Sequence, residues 1–316
     1  MRGCLVDFED GFDEFERKQA RYSFDEFRRN IDYPINAEES IPKEMIGSSE
    51  GKLCTPYKFF LNVDPQKAMK HRQRTGDCVS IGLVTASDIR RVWEFAKLLE
   101  REQYIARQCS ALPYSGRGHT GQGADPYRLS MWHLKSGFLL EQLFTDADGK
   151  EWDFRNYDEY YKIGIKYGRT GLPDSIISIT SQHAMRRAQR VRDTNALADL
   201  MWSGYTAHLG SNLGVANTGD PISPRRGSWA HDMAPVGFDD TRKYFNFRVW
   251  LWDQSWGPSW NRVTNIPQEW LPWGEGMFAI SEETMQYAIK QGGCVVFDDA
   301  NGFQLNPIDF SKIVPN

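Results

Sequence analysis

Residues 228–238 read Ser228-Trp229-Ala230-His231-Asp232-Met233-Ala234-Pro235-Val236-Gly237-Phe238, and Gln254-Ser255-Trp256-Gly257 begins 23 residues after the histidine. The first stretch is rich in apolar and aromatic residues and bounded by turn formers, which predicts a strand opening near His231. Well upstream, Gln73-Arg74-Thr75-Gly76-Asp77-Cys78 stands just ahead of a long amphipathic run. The chain order is therefore cysteine, histidine, side-chain amide, and that order points to a thiol nucleophile.

Working outward, Ile89, Val92, Trp93, Ala96 and Leu99 recur at i, i+3, i+4, i+7 and i+10, with Arg90, Arg91, Glu94, Lys97 and Glu100 between them. This is the period of an amphipathic helix, which is expected to begin near Cys78. A polar, glycine-rich loop from Ser115 to Pro126 leads to a second helix over Tyr127 to Lys135, closed by Gly137, and further helical patterns occupy about 175–190 and 194–203. The second half carries short strand patterns at Thr206 to Leu213, Ala230 to Phe238, Tyr244 to Trp252, Gly276 to Ile280 and Cys294 to Phe297. Helices first and strands after predict an α+β fold with segregated lobes rather than an alternating doubly wound sheet.

A cysteine attacks as its thiolate, and two things favour that form: the positive end of a helix dipole and a nearby imidazolium. Gly76-Asp77 offers a tight approach, after which the helix points unsatisfied N–H groups toward Cys78. His231, on a strand far away in sequence, would complete the pair from the other lobe. A third group must hold the imidazole by accepting a hydrogen bond from its other nitrogen, and Gln254 or its neighbour Asp253 has the chemistry to do so.

On these residues the chain resembles the papain-like cysteine peptidase superfamily. Gln73 to Cys78 is similar to the family's glutamine-to-cysteine segment, and Ala230 to Phe238 to its histidine strand. Gln254-Ser255-Trp256-Gly257-Pro258-Ser259-Trp260 resembles its Asn-Ser-Trp-Gly-x-x-Trp motif, and Gly276-Met277-Phe278-Ala279-Ile280 its final strand. Gly121-Gln122-Gly123-Ala124 stands where the family places the glycine-rich edge of its cleft. The resemblance spans about 65 to 300 with the motifs in order. It implies a papain-like two-lobed fold, with an N-terminal helical lobe and a C-terminal antiparallel β lobe. It also implies a thiol hydrolase of peptide or isopeptide bonds. Cys78 would be the nucleophile, His231 the base, Gln73 with the Cys78 N–H the oxyanion donors and Gln254 the orienting amide. Gly121, Gly123 and Trp256 would line the substrate side, with Trp256 shielding the His231–Gln254 contact. The chain departs from the family at Val79, where a tryptophan is usual, at Thr75-Gly76, where a second cysteine is usual, and at Gln254, where asparagine is usual. The Gln73-to-Cys78 spacing is also one residue short.

At 316 residues, 40% hydrophobic and 13% aromatic, the chain can bury a sizeable core. A net charge of -4 gives no general attraction to nucleic acid or anionic membrane, and no run approaches the ~18 apolar residues a membrane helix needs. Five cysteines (Cys4, Cys54, Cys78, Cys109, Cys294), odd in number and without a CxxC pair, argue against a disulfide framework and a zinc knuckle. No metal or cofactor is expected. The acidic start leaves no secretory h-region, so a reducing, cytoplasmic or intracellular setting is expected. Residues 1–50 carry 13 acidic and 7 basic side chains, and with Pro34, Pro42 and Gly47 to Gly51 they suggest an arm and linker over 1–60, ahead of the papain-like domain that the resemblance implies over 61–316. Phe27-Arg28-Arg29-Asn30 resembles a fragment of a papain-type pro-segment, but a docking or assembly arm is the reading preferred.

Gly116-Arg117-Gly118-His119-Thr120-Gly121 matches GxGxxG but follows no strand, so no dinucleotide site is expected. Arg186, Arg187, Arg190 and Arg192 read as the solvated face of a helix, and His71, His119, His133, His183 and His208 as structural or solvated. The alternative to a peptidase is a papain-like structural or interaction protein with a weak or inactive site, for example a phage virion component. Acyl transfer to an amine shares the same acyl-enzyme chemistry.

Overall fold

The computed structural model describes residues 37–63, 72–96, 106–185, 187–260, 263–271, 276–291 and 293–298. The helices are α1 (Tyr57–Val63), α2 (Cys78–Ala96), α3 (Ala111–Ser115), α4 (Pro126–Ser136), α5 (Tyr157–Lys166), α6 (Asp174–Thr180), α7 (Thr194–Trp202) and α8 (Glu282–Ile289). The strands are β1 (Leu53–Cys54), β2 (Leu143–Thr145), β3 (Glu151–Asp153), β4 (Arg187–Arg190), β5 (Ala207–Ser211), β6 (His231–Asp239), β7 (Val249–Asp253), β8 (Phe278–Ser281) and β9 (Gly293–Asp298). The main sheet runs in the order β4-β9-β5-β6-β7-β8, antiparallel throughout, with β1 added along β6, while β2 and β3 form a separate hairpin.

Successive side chains on a strand point to opposite faces, and here both faces of the central strands are covered. Along β7, Trp250 and Trp252 share a core with Leu197, Leu200 and Met201 of α7 and Met285, Ala288 and Ile289 of α8. Val249 and Leu251 share the opposite core with Tyr57 and Phe60 of α1 and Ile89 and Val92 of α2. Every residue of β6 and β7 is buried in consequence. Burying each large apolar side chain is worth roughly 1.5–3 kcal/mol, so this two-sided cover holds β6 in place. The helical lobe has its own core, built from Leu112, Trp152, Phe154, Tyr157, Tyr160 and Ile176. No helix among the described residues is long and apolar enough to cross a membrane.

Two expectations are corrected. The helix expected over 175–190 ends at Thr180, and Arg187–Arg190 is instead an edge strand paired with β9 (Arg187↔Asp298, Arg190↔Val295). Arg190 lies over the Tyr127 ring at 3.9 Å, so the arginines there are not one helical face. Residues 37–60, expected to be linker, are part of the packed body. Ala37 and Met45 are buried, Leu53 and Cys54 pair with Asp239 and Phe238, and the Asp199 carboxylate accepts from Gly47 N, Ser49 N and the Ser49 hydroxyl. Phe27-Arg28-Arg29-Asn30 and the rest of the arm before residue 37 lie outside the described residues. So does the end of the amphipathic pattern at Leu99.

Candidate active site

Helix α2 starts at Cys78. The Asp77 carbonyl accepts the first helical hydrogen bond, from Ile81 N at 3.0 Å, which makes Asp77 the capping position and sets Cys78 in the first turn of the helix. The Asp77 carboxylate accepts from Tyr157 Oη at 2.9 Å, and Tyr157 Oη in turn accepts from Arg74 N at 2.9 Å. Burial and then the Asp77 charge push the Tyr157 phenol well up, so it stays a donor. On the other side, Gln73 N donates to Ser255 O at 2.6 Å and the Ser255 hydroxyl donates to Gln73 Oε1. The five residues before the thiol, Gln73 to Asp77, are thereby clamped to both lobes.

With its oxygen held by Ser255, the Gln73 amide turns its NH2 end toward Thr75, to whose carbonyl it donates at 3.2 Å. The glycine-rich loop closes the same corner: Gly123 N donates to Gly76 O at 3.0 Å. A Cβ on Gly76 would fall 2.7 Å from Gly123 N, so only glycine allows this contact. Gly123 has φ +78 and open space where a side chain would stand, which fits an edge that a substrate backbone can approach. Gly121 plays a different part. Its carbonyl accepts from buried Arg117 Nε at 2.8 Å, and the same guanidinium grips Tyr114 O, Gly164 O and Ile165 O. Gly121 thus anchors the loop to the helical lobe.

His231 opens β6, and the residue after it lies against α2. A Cβ on Gly82, one turn into α2 and on the same face as Cys78, would lie 2.2 Å from Asp232 Oδ1 and 3.5 Å from the Met233 carbonyl carbon. Further along both elements, Ile89 and Val92 share a core with Ala234 and Val236. Cys78 stands one turn before Gly82 and His231 one residue before Asp232, and no hydrogen bond joins the thiol to the imidazole. Both are 3% exposed. The imidazole stacks on Trp256 (4.3 Å between ring centres, 14° between planes), and Trp256 meets Trp229 edge-on at 5.3 Å. Trp256 therefore covers the imidazole face. Neither ring nitrogen of His231 makes a hydrogen bond to any described residue, although both are buried.

Gln254 is not the imidazole's partner. Its Oε1 accepts from Trp256 N, and its Nε2 donates to Gly257 O at 3.2 Å and Gly276 O at 2.5 Å. A buried amide is bound where its polar atoms can all be satisfied, and the turn 254–257 supplies that locally. Gln254 shapes the loop carrying Trp256 rather than holding His231. Asp253 of β7 pairs with Ala234 of β6, three residues beyond His231, with Oδ1 unpartnered and the carboxyl pushed up to about 7 by burial, Arg107 pulling the other way.

Three residues beneath the site were not singled out from the sequence as its parts. Asp232 Oδ2 and Oδ1 lie 2.9 and 3.1 Å from His208 Nδ1, and His208 Nε2 lies 2.8 Å from Ser130 Oγ, all of them buried. The adjacency of Asp232 to His231 was the available signal, but its pairing with a histidine 24 residues away leaves no local pattern. Cys54, Cys78, Cys109 and Cys294 form no disulfide, and burial pushes the thiols of Cys54, Cys109 and Cys294 well up.

No protein-family model and no curated protein sequence matches this chain. Among solved structures it is similar to the crystal structure of xylellain, a cysteine protease from Xylella fastidiosa, at 14% identity and TM-score 0.54, covering 85% of this chain and 96% of that one. It is also similar to the digestive procathepsin L 3 of Tenebrio molitor larval midgut, at 11% identity and TM-score 0.49, covering 90% of this chain and 88% of that one. The likeness to xylellain shows the fold: a two-lobed, papain-like α+β architecture, as the resemblance implied.

Proposed function

We propose that the protein is a cysteine-type hydrolase of peptide or isopeptide bonds, with Cys78 as nucleophile and His231 as general acid and base. The observation that supports this reading is the close approach of α2 at Gly82 to Asp232 of β6, one turn after Cys78 and one residue after His231. That xylellain, similar to this chain in fold, is named a cysteine protease supports the reaction class.

The Cys78 thiolate attacks the scissile carbonyl carbon, forming a C–S bond while the carbonyl π pair moves to oxygen. The Cys78 N–H and the Gln73 amide donate to that oxyanion. His231 passes the proton taken from Cys78 to the leaving nitrogen as the C–N bond breaks. Water, deprotonated by His231, then attacks the thioester, and the thiolate departs with the acid product released. Removing one oxyanion donor typically costs about 10²–10³ in rate, so Gln73→Ala is expected to lower kcat by that factor with the fold intact. A fall of less than threefold would take Gln73 out of the site.

A non-catalytic reading draws on one observation, the burial of both Cys78 and His231. The neighbours in fold lend a virion role no support. Labelling by a thiol-reactive peptide probe separates the two: the parent should label, and Cys78→Ala and His231→Ala should not. Equal labelling of the parent and Cys78→Ala would remove Cys78 as nucleophile.

A further inference from the structure

His231 lacks a side-chain acceptor, yet its place is set. The residue after it, Asp232, meets α2 and β5 directly and α4 through His208. Its Oδ1 abuts the α2 backbone at Gly82, where any larger residue would collide, and its Oδ2 lies 3.1 Å from where a Cβ on Gly210 of β5 would be. Both carboxylate oxygens face His208 Nδ1 of β5, and His208 Nε2 faces Ser130 Oγ of α4.

The hydrogens of this chain can be assigned by counting. Ser130 Oγ has one, and it lies 2.8 Å from Pro126 O, a separation that requires the serine to donate there. Ser130 must then accept from His208 Nε2–H. Nδ1 approaches both oxygens of Asp232 almost equally. His208 is thus held on both ring nitrogens, Nδ1 against the Asp232 carboxyl and Nε2 against the Ser130 hydroxyl. Phe297 stacks on the His208 ring, so the pair is walled from water. Burying such a pair is seldom a gain in stability over apolar packing, and a glycine inside a helix costs about 1 kcal/mol against alanine, so the arrangement is better explained by what it positions.

We propose that Asp232, paired to a His208 that Ser130 anchors, is the positioning residue of the Cys78–His231 site. It pins the first residues of β6 to α2, and through α4 to the glycine-rich loop, so that the imidazole is aimed through its backbone rather than by an amide. The inference rests on the thiol-hydrolase reading. It does not make Ser130 a nucleophile, since Ser130, His208 and Asp232 are all closed off from substrate.

The test uses the full chain, with ring-15N histidine and a thiol-reactive peptide probe. His208, assigned by its absence in His208→Gln, should show a hydrogen on Nε2 at pH 7, and a bare Nε2 would overturn the assignment. A misplacement of about 1 Å can cost about 10²-fold in rate, so Asp232→Asn should slow Cys78 labelling by about that factor and Ser130→Ala, which keeps every charge, by about tenfold. The His208 signature should change in both variants. If Asp232→Asn does not fold, Ser130→Ala and the parent spectrum decide. A parent that does not label sinks the thiol reading and this inference with it. A parent that labels, beside a folded variant that labels at the parent's rate, sinks this inference alone.

Discussion

Alanine at position 231 is expected to lower turnover of a peptide substrate by roughly 10⁴-fold or more, the range seen when the base of a nucleophile–base unit is removed. The loss should fall on kcat, because the imidazole acts on protons in flight rather than on the bound substrate. The variant should remain folded. Burying an unsatisfied polar atom costs about 1–3 kcal/mol, and His231 buries two such nitrogens, so their removal offsets part of the packing lost against Trp256. Steady-state kinetics beside a thermal melt separate the two effects. A variant that keeps a tenth of the parent's kcat would show that His231 is not the base.

The second large effect is on stability. Burial pushes the Asp253 carboxyl up from 3.8 to about 7, against the opposing pull of Arg107. The folded state therefore holds this proton over a window in which the unfolded chain has released it, so stability falls as pH rises from about 4 to about 7 and stays reduced above. At 1.36 kcal/mol per tenfold change, this amounts to on the order of 4 kcal/mol. Asp253→Asn removes the penalty and keeps the shape. It should be more stable than the parent at pH 8, with the gap closing toward pH 4. Other groups act equally in both proteins and cancel in the difference. Denaturant titrations at the two pH values measure it, and a gap that is absent at pH 8, or that widens toward pH 4, would contradict the burial of an ionising carboxyl there.

What the residues disclosed in advance was local. The start of α2 at Cys78 was legible because Gly76-Asp77 precedes an unbroken apolar period, and β6 because its run of small and aromatic residues ends at turn formers. Chemistry outran geometry at Gln254: the amide is present, but its side chain is spent on the carbonyls of its own turn and of Gly276, neither visible as a pattern. Arg187–Arg190 was misread because Ile177, Ile179, Met185 and Ala188 happen to fall near helical spacing, while the pairing that makes a strand there comes from β9, more than a hundred residues on. Of the four helices the sequence reading does not anticipate, α1, α3, α5 and α8, two carry local signs. Asn156 caps α5 with Tyr157, Tyr160 and Gly164 on its buried face, and Ser281 caps α8 with Met285, Ala288 and Ile289 on its own. The tie between Asp232 and His208 left no mark in either segment, since each residue alone reads as an ordinary strand substitution.

Competitive alkylation tests the pairing of Cys78 with His231 most directly. The folded protein is treated with limiting iodoacetamide at pH 7 and the modified cysteine peptides are quantified by mass spectrometry. Cys54, Cys109 and Cys294, their thiols pushed well up by burial, should react slowly, and Cys78 should be modified at least about tenfold faster, an advantage that His231→Ala abolishes. Modification of Cys78 no faster than of those three, or an advantage that survives the loss of His231, would contradict the account.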